Sequence, residues 1–416
     1  MEGLRRRQLL VLRRAGLARW RLEGRQGREG RGVRRRPAAA GARPLTGTVQ
    51  PGARRALAAG LPDFPWDRLE PAKATAARHP GGIVDLSIGT PVDPVPAAIR
   101  AALTAASDAP GYPLTAGTPE LRAAIRAWVT RWCAPGGDGF GVLPTIGSKE
   151  LVAWLPTLLG LGPGDTVVIP PVCYPTYEVG VQLSGATVVR ADALTSLGPA
   201  RVRLVWVNSP SNPTGRVLPP AHLRKVVDWA RERGAVVASD ECYLPLPWEA
   251  EPVSILSVCD GRFDNVLAVH SLSKRSNLAG YRAGFVAGDP ALVDELLAVR
   301  KHAGMIVPAP VQAAMVAALG DEEHVGLQRD RYAARRAVLR AAFEGAGFTV
   351  EHSEAGLYLW LTRDEDSWDT VAWLAERGIL TAPGAFYGPA GGRHVRAALT
   401  ADDERVTEAA KRLAEA

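Results

Sequence analysis

The segment Ser271-Leu272-Ser273-Lys274-Arg275-Ser276-Asn277-Leu278-Ala279-Gly280-Tyr281-Arg282 sets one lysine among small hydroxyl residues, with an arginine eight positions on. It follows an apolar, strand-like run, Val266-Leu267-Ala268-Val269. A lysine that forms a Schiff base must be held rigidly, partly desolvated and close to a phosphate anchor, and this spacing can supply all three. The alternative for so short a run is a solvated Lys/Arg pair on a loop. The rest of the sequence separates the two.

Four further clusters stand where strands should end. Asn208-Ser209-Pro210-Ser211-Asn212-Pro213-Thr214-Gly215 follows Val205-Trp206-Val207; its two X-Pro bonds and glycine make a tight turn able to aim Asn212 inward. An ordinary turn reads equally well from these residues alone. Ser239-Asp240-Glu241-Cys242-Tyr243 ends an apolar run, and a buried carboxylate there needs a cationic partner, such as a protonated pyridine nitrogen. Tyr243 could then bond a phenolic oxygen of the same ring together with Asn212. Thr145-Ile146-Gly147-Ser148-Lys149-Glu150 is a glycine turn opening a helix, whose free N–H groups can bind phosphate. Ser271, Ser273 and Arg282 would complete that cup. In Cys173-Tyr174-Pro175-Thr176-Tyr177, Tyr174 could stack on an aromatic ring or simply fill the core.

The elements that must position these residues alternate. Strands are expected at Val167–Pro170, Ala186–Arg190, Arg203–Val207, Ala235–Ser239, Asn265–His270 and Ala283–Ala287, with helices at 148–160, 176–184, 219–233 and 290–302. That order predicts an α/β fold with a mostly parallel sheet flanked by helices, and ligands beyond the carboxyl ends of the strands. Upstream, Ile83–Ile88 reads as a short strand and 96–106 and 119–132 as helices, the latter opened by Thr118-Pro119-Glu120. Downstream, 311–344 reads as one or two long helices. Strands at Thr349–His352, Leu357–Leu361 and Val395–Leu399, with helices at 368–377 and 401–415, then predict a smaller α+β part.

Composition narrows the class. Apolar residues make up 47% and charged residues 22%, the balance of a water-soluble globular chain, and no apolar run is long enough to span a bilayer. Cys133, Cys173, Cys242 and Cys259 lack CxxC or CxxH spacing, which argues against a metal site or a disulfide framework. The net charge of +7 is misleading: residues 1–55 hold sixteen Arg and three acids, a local +13 that leaves −6 for the remainder. This Arg-, Gly- and Ala-rich tail has no apolar period and is expected to be disordered and outside the fold. It has no Ser, unlike an organellar transit peptide, and no secretory h-region. An upstream start assignment is the preferred reading over a nucleic-acid arm, and N-terminal sequencing that returned Met1 or Glu2 would refute it.

Taken together, Asn212, Asp240, Tyr243, Lys274 and Arg282 resemble the motifs of the class I/II aminotransferases, which have fold type I and use pyridoxal 5'-phosphate. The resemblance covers about residues 61–416. It implies a large domain with a mostly parallel seven-stranded sheet, a small α+β domain, and a homodimer with shared sites. The corresponding division is a tail at 1–58, an N-terminal arm with part of the small domain at 59–100, the cofactor-binding domain at 101–305 and the small C-terminal domain at 306–416. By resemblance, Lys274 carries the cofactor, Asp240 pairs with its pyridinium, Asn212 and Tyr243 hold its phenolate oxygen, and Tyr174 stacks on the ring. Ser148, Lys149, Ser271, Ser273 and Arg282 surround the phosphate, and Tyr112 reaches the phosphate of the neighbouring subunit. Arg396, in His394-Val395-Arg396-Ala397-Ala398-Leu399-Thr400, clamps the substrate α-carboxylate, with Asn212 and the backbone of Gly89 beside it.

Three runs, Lys274–Arg282, Gly147–Pro156 and Trp66–Leu69, are similar to those of actinobacterial succinyldiaminopimelate aminotransferases of lysine biosynthesis. That implies a cytoplasmic enzyme moving an amino group from glutamate to N-succinyl-2-amino-6-oxopimelate, with no nucleic acid, membrane or metal involved. A cation for the distal end of the substrate is then required, and Arg275 and Lys149 are the candidates. The alternatives are transamination of a different amino acid or C–S lysis on the same scaffold. A DNA-binding regulator fused to such a domain is disfavoured, because the tail is too short and patternless for a winged helix.

Overall fold

The computed structural model describes residues 57–198 and 201–415. The expected disordered tail therefore lies outside the described residues, except Leu57 and Ala58, which begin a short 3-10 turn ending at Gly60. Thirteen strands follow in order among the described residues: β1 (Val84–Asp85), β2 (Gly141–Ile146), β3 (Thr166–Ile169), β4 (Thr187–Arg190), β5 (Val202–Asn208), β6 (Val236–Asp240), β7 (Val266–Ser271), β8 (Ala283–Gly288), β9 (Thr349–Glu351), β10 (Tyr358–Thr362), β11 (Ile379–Leu380), β12 (Ala382–Pro383) and β13 (His394–Ala398).

Seven of them form one sheet in the order β2-β8-β7-β6-β5-β3-β4. The pairs from β7 through to β4 are parallel, while β8 runs antiparallel to both β7 and β2. Buried on both faces, β3, β5, β6 and β7 need apolar side chains on both sides, which is why they read as continuous Val, Leu, Ile and Ala runs rather than alternating ones. One apolar cluster, with Val205, Val207, Val226 and Val237, covers one face; another, with Leu151, Val181, Leu204 and Trp206, covers the opposite face. Several of the helices between strands begin where the sequence places a cap or a proline. Thr118 Oγ1 accepts from Leu121 N at 3.2 Å, and Asp289 Oδ1 accepts from Ala291 N at 2.8 Å.

A second, four-stranded sheet has the order β12-β13-β10-β9, all antiparallel. Helices Glu323–Gly345, Ser367–Glu376 and Asp403–Ala414 cover it around a third apolar cluster that includes Tyr358, Trp360, Leu374 and Val406. The short pair β1–β11 joins the N-terminal segment to this layer.

Three differences from the sequence reading have physical causes. β2 was not expected, since Gly141 and Pro144 interrupt its pattern; it lies at the sheet edge, where a proline costs no ladder bond. The strand expected at Ile83–Ile88 stops at Asp85, because the Asp85 carboxylate accepts from Ser87 N (2.9 Å) and Ser87 Oγ (2.6 Å) and bends the chain away. The run 311–344 is two helices, Ala309–Leu319 and Glu323–Gly345.

Candidate active site

The sheet register brings the chemistry-bearing strand ends together. Asn208 pairs with Asp240 across β5 and β6, Asp240 with Val269 across β6 and β7, and Ser271 with Gly284 across β7 and β8. These ends open into a cavity of about 540 Å³. Of the residues singled out from the sequence, Gly89, Ser148, Lys149, Tyr174, Asn212, Asp240, Tyr243, Ser271, Ser273, Lys274, Arg282 and Arg396 all line it. Tyr112 does not: in this single chain it stands 99% exposed.

Lys274 sits in a one-turn helix, Leu272–Arg275, whose start is fixed by Ser271 Oγ accepting from Ser273 N at 3.1 Å. Its Nζ donates to the carbonyl of Gly89. Burial pulls the amine below the usual lysine range, while Tyr358 and Cys242 act in the opposite direction. A lysine so placed spends more time as the free base, the form that attacks a carbonyl or takes a proton.

Asp240 is buried, and burial raises its carboxyl above the ordinary range against hydrogen bonds that favour the charged form. Tyr177 Oη donates to Oδ2 at 2.9 Å and Cys242 N to Oδ1 at 3.3 Å. No cation pairs with Asp240 among the described residues. A carboxylate held in this way accommodates a protonated ring nitrogen as its missing partner.

Arg396 is 2% exposed and also has no acidic partner among the described residues. Its Nη1 donates to Asn212 Oδ1 at 2.9 Å and its Nη2 to Ser87 O at 2.6 Å, while Nε has no partner. The guanidinium carbon lies 3.9 Å from the ring centre of Tyr358 and 5.0 Å from that of Tyr387. These contacts hold the guanidinium without neutralising it, which suits a carboxylate arriving from the cavity. Asn212 is oriented from behind, its N–H donating to Asn208 Oδ1 at 2.7 Å; both X-Pro bonds in this turn, Ser209-Pro210 and Asn212-Pro213, are cis.

The opposite wall is a cup. Gly147 has φ +72° and opens the helix Ser148–Leu158, and a Cβ on it would come within 2.5 Å of Arg282 Nη2. A Cβ on Gly284 would press on Ser148 N at 3.0 Å. Glycine at both places leaves room for free N–H groups and a guanidinium to converge on one anion. Lys149 stands at the rim, its Nζ 5.6 Å from the Phe64 ring centre; burial first, then repulsion from Arg282, lowers its proton affinity.

The structure corrects one expectation about the lysine run. Arg275 is 3% exposed and does not line the cavity; it pairs with Glu322 at 3.1 Å and packs its guanidinium over Trp128 at 5.4 Å. It cannot read the distal end of a substrate. Five lining residues had no role assigned from the sequence: Tyr358, whose hydroxyl lies 3.1 Å from that of Tyr243; Tyr177, which bonds Asp240; Cys242, whose thiol donates to Ser148 Oγ at 3.2 Å; and, at the mouth, the aromatic pair Phe64 and Trp66, the latter within a run already noted. Tyr177 and Cys242 each stood within clusters already noted. Tyr358 carried no local signal.

The sequence profile described as aminotransferase class I and II matches residues 82–413. The chain belongs to that family. It is 60% identical to a probable aminotransferase of Mycobacterium tuberculosis, over 99% of this chain and all of the relative. It is also 60% identical to the 4-dedimethylamino-4-oxo-anhydrotetracycline transaminase of Streptomyces rimosus, over 85% of this chain and 99% of that protein. Among solved structures it is similar to a probable N-succinyldiaminopimelate aminotransferase from Thermus thermophilus, with TM-score 0.76 and 30% identity, covering 85% of this chain and all of that one.

Aminotransferases of this class and fold depend on pyridoxal 5'-phosphate, and the cavity fits it: it is lined by a buried carboxylate with no cation on it among the described residues, by a helix start and an arginine beside glycines that leave room for an anion, and by a lysine. When bound, the cofactor supplies an electron sink for the bonds at a substrate α-carbon. No described helix is long and apolar enough to cross a membrane.

Proposed function

We propose that this aminotransferase transfers the amino group of glutamate to N-succinyl-2-amino-6-oxopimelate, in the succinylase branch of diaminopimelate and lysine biosynthesis. The carrying observation is that, besides Lys274 and Arg282, which this reading gives to the cofactor, the cavity is lined by two further cations at different depths, buried Arg396 and rim-standing Lys149. A substrate with an α-carboxylate and a second anionic group at its far end satisfies both. The likeness to the Thermus protein supports the same reading.

In this reading Arg396 and Asn212 bind and orient the α-carboxylate, and Gly89 lines its approach. Lys274 Nζ, as the free base, would take the proton from the α-carbon of the amino donor and, in the second half-reaction, deliver one to the α-carbon of the keto-acid acceptor, with the Gly89 carbonyl and Tyr358 steering the amine. Glutamate and keto acid use the same groups in turn, giving ping-pong kinetics. Asp240 would keep the cofactor's ring nitrogen protonated, Tyr243 and Asn212 would hold its phenolic oxygen, Tyr174 would stack on its ring, and Ser148, Ser271, Ser273 and Arg282 would hold its phosphate. We further propose a cytoplasmic homodimer in which Tyr112 reaches across to the partner subunit's site.

A second reading is amination of a fused-ring ketone. It is favoured by 60% identity to the anhydrotetracycline transaminase and by the aromatic mouth of Phe64 and Trp66. Glutamate-dependent amination measured on the succinylated oxopimelate, its acetylated and free forms, pyruvate and a polycyclic ketone separates the readings. Highest kcat/KM on the succinylated acid supports the proposal; preference for pyruvate or the polycyclic ketone refutes it and leaves the transaminase assignment intact.

A further inference from the structure

Ser276 and Asn277, two and three positions after the lysine, do not line the cavity and bond instead to the long helix Glu323–Gly345. Ser276 Oγ and His324 Nε2 are 2.8 Å apart, and Asn277 Nδ2 donates to Gln328 Oε1 at 2.9 Å. The same helix face holds the segment that meets the lysine from the other side. Gln328 Nε2 donates to Asp93 Oδ2 at 2.8 Å, and Arg335 forks onto both oxygens of Asp93 at 2.7 and 2.8 Å. Positions 324, 328 and 335 share one side of a helix, so a single surface grips both segments.

These bonds admit one arrangement. Asp93, paired with Arg335, offers only acceptors, so Gln328 must turn its NH₂ group toward it. Its carbonyl oxygen is then left to accept from Asn277. Gln328 and Arg335 are each 3% exposed, which leaves little water to replace a lost bond. Asn277 holds φ +57°, a conformation that asparagine tolerates better than most side chains.

Between Thr90 and Pro96 the segment belongs to no strand or helix. Its upstream end is held by Arg396 on Ser87 O and by Thr400 Oγ1 on Ile88 O at 3.1 Å. Its downstream end is held by Gln328 and Arg335 on Asp93. Gly89, which accepts from Lys274 Nζ, lies between the two anchors.

We infer that Asn277, Gln328 and Asp93 form a positioning relay that fixes the Lys274 amine against the Gly89 carbonyl, so that the long helix sets where the proton-carrying nitrogen stands. None of the three lines the cavity; they act through Lys274 and Gly89. The inference rests on Lys274 as the reactive amine, a point that Lys274→Ala tests separately.

Gln328→Ala removes both of the glutamine's bonds and leaves the Asp93–Arg335 pair, while Asn277→Gly removes the asparagine's bonds to Gln328 and to Pro94 O (3.4 Å) and keeps the positive φ accessible. In the holoenzyme each variant lowers kcat by about tenfold or more and leaves KM for glutamate within about twofold, because the amine is misplaced while Arg396 keeps its own supports. The loss in the double variant is smaller than the sum of the two single losses, as members of one relay require. In the cofactor-free protein, backbone hydrogen exchange across residues 88–96 accelerates in Gln328→Ala but not in Arg329→Ala, an exposed position on the same helix. Unchanged kcat, a rise in KM alone, additive effects, or unaltered exchange across 88–96 would each overturn the relay.

Discussion

Arg396→Lys isolates what the guanidinium does beyond carrying charge. The native side chain is buried, held on two sides by Asn212 Oδ1 and Ser87 O and faced by the Tyr358 ring, with no acid to neutralise it. Lysine keeps the positive charge but presents a single nitrogen, so it cannot form two parallel bonds to a carboxylate while keeping either support. One charge-assisted hydrogen bond contributes about 1.5–3 kcal/mol, so its loss lowers kcat/KM for glutamate roughly 10- to 150-fold. The α-carboxylate is bound equally before and during proton transfer, so the loss appears mainly in KM. Steady-state transamination with glutamate, and with the decarboxylated amine of the same chain, gives the comparison. This amine keeps the distal carboxylate but has no α-carboxylate to lose, so its kcat/KM should be nearly unchanged. An equal loss on both donors, or a loss confined to kcat, would refute Arg396 as the carboxylate anchor.

Two further outcomes follow from the buried groups. Tyr177→Phe removes the hydroxyl 2.9 Å from Asp240 Oδ2, pushing that carboxyl further up and weakening cofactor retention by about tenfold or more; equilibrium dialysis showing native retention would contradict this. Behind the site, burial holds His270 down to about 3 from an ordinary 6.5 and raises Glu241 to about 7 from 4.5, their facing atoms being 3.6 Å apart. A depressed histidine adds stability that is present above 6.5 and is lost as pH falls toward 3. A raised glutamic acid adds stability that is present below 4.5 and is lost as pH rises through 7. The two slopes oppose each other between 4.5 and 6.5, leaving the histidine's acid loss visible below 4.5 at up to about 1.4 kcal/mol per pH unit. Urea unfolding of His270→Gln should lack that loss, and an unchanged acid limb would count against the mechanism.

The parallel strands were legible because burial on both faces demands uninterrupted apolar runs, and each run stops at a polar residue that the sheet register then gathers: Asn208, Asp240 and Ser271. β2 was not legible, since an edge position tolerates the very proline that argues against a strand. Arg275 misled for a local reason. In the one-turn helix, successive side chains diverge by about 100°, so pointing Lys274 into the cavity turns Arg275 toward Trp128 and Glu322. Tyr358 escaped notice because its place depends on pairing distant in sequence. Trp360 lies opposite Arg396 in the β10–β13 register, which puts Tyr358 diagonally beside Arg396 on the same face. The chemistry was thus readable wherever one strand end defined it, and hidden where two distant segments had to meet.

The central claim is that Lys274, of the six lysines in the chain, is the one that holds the cofactor. Borohydride reduction of the holoenzyme converts the lysine–cofactor bond into a stable amine, and peptide mass spectrometry then locates it. We expect the added mass on the peptide containing Lys274, and its disappearance together with all turnover in Lys274→Ala. Modification at Lys149 or another lysine, or a fully active Lys274→Ala enzyme, would contradict the account.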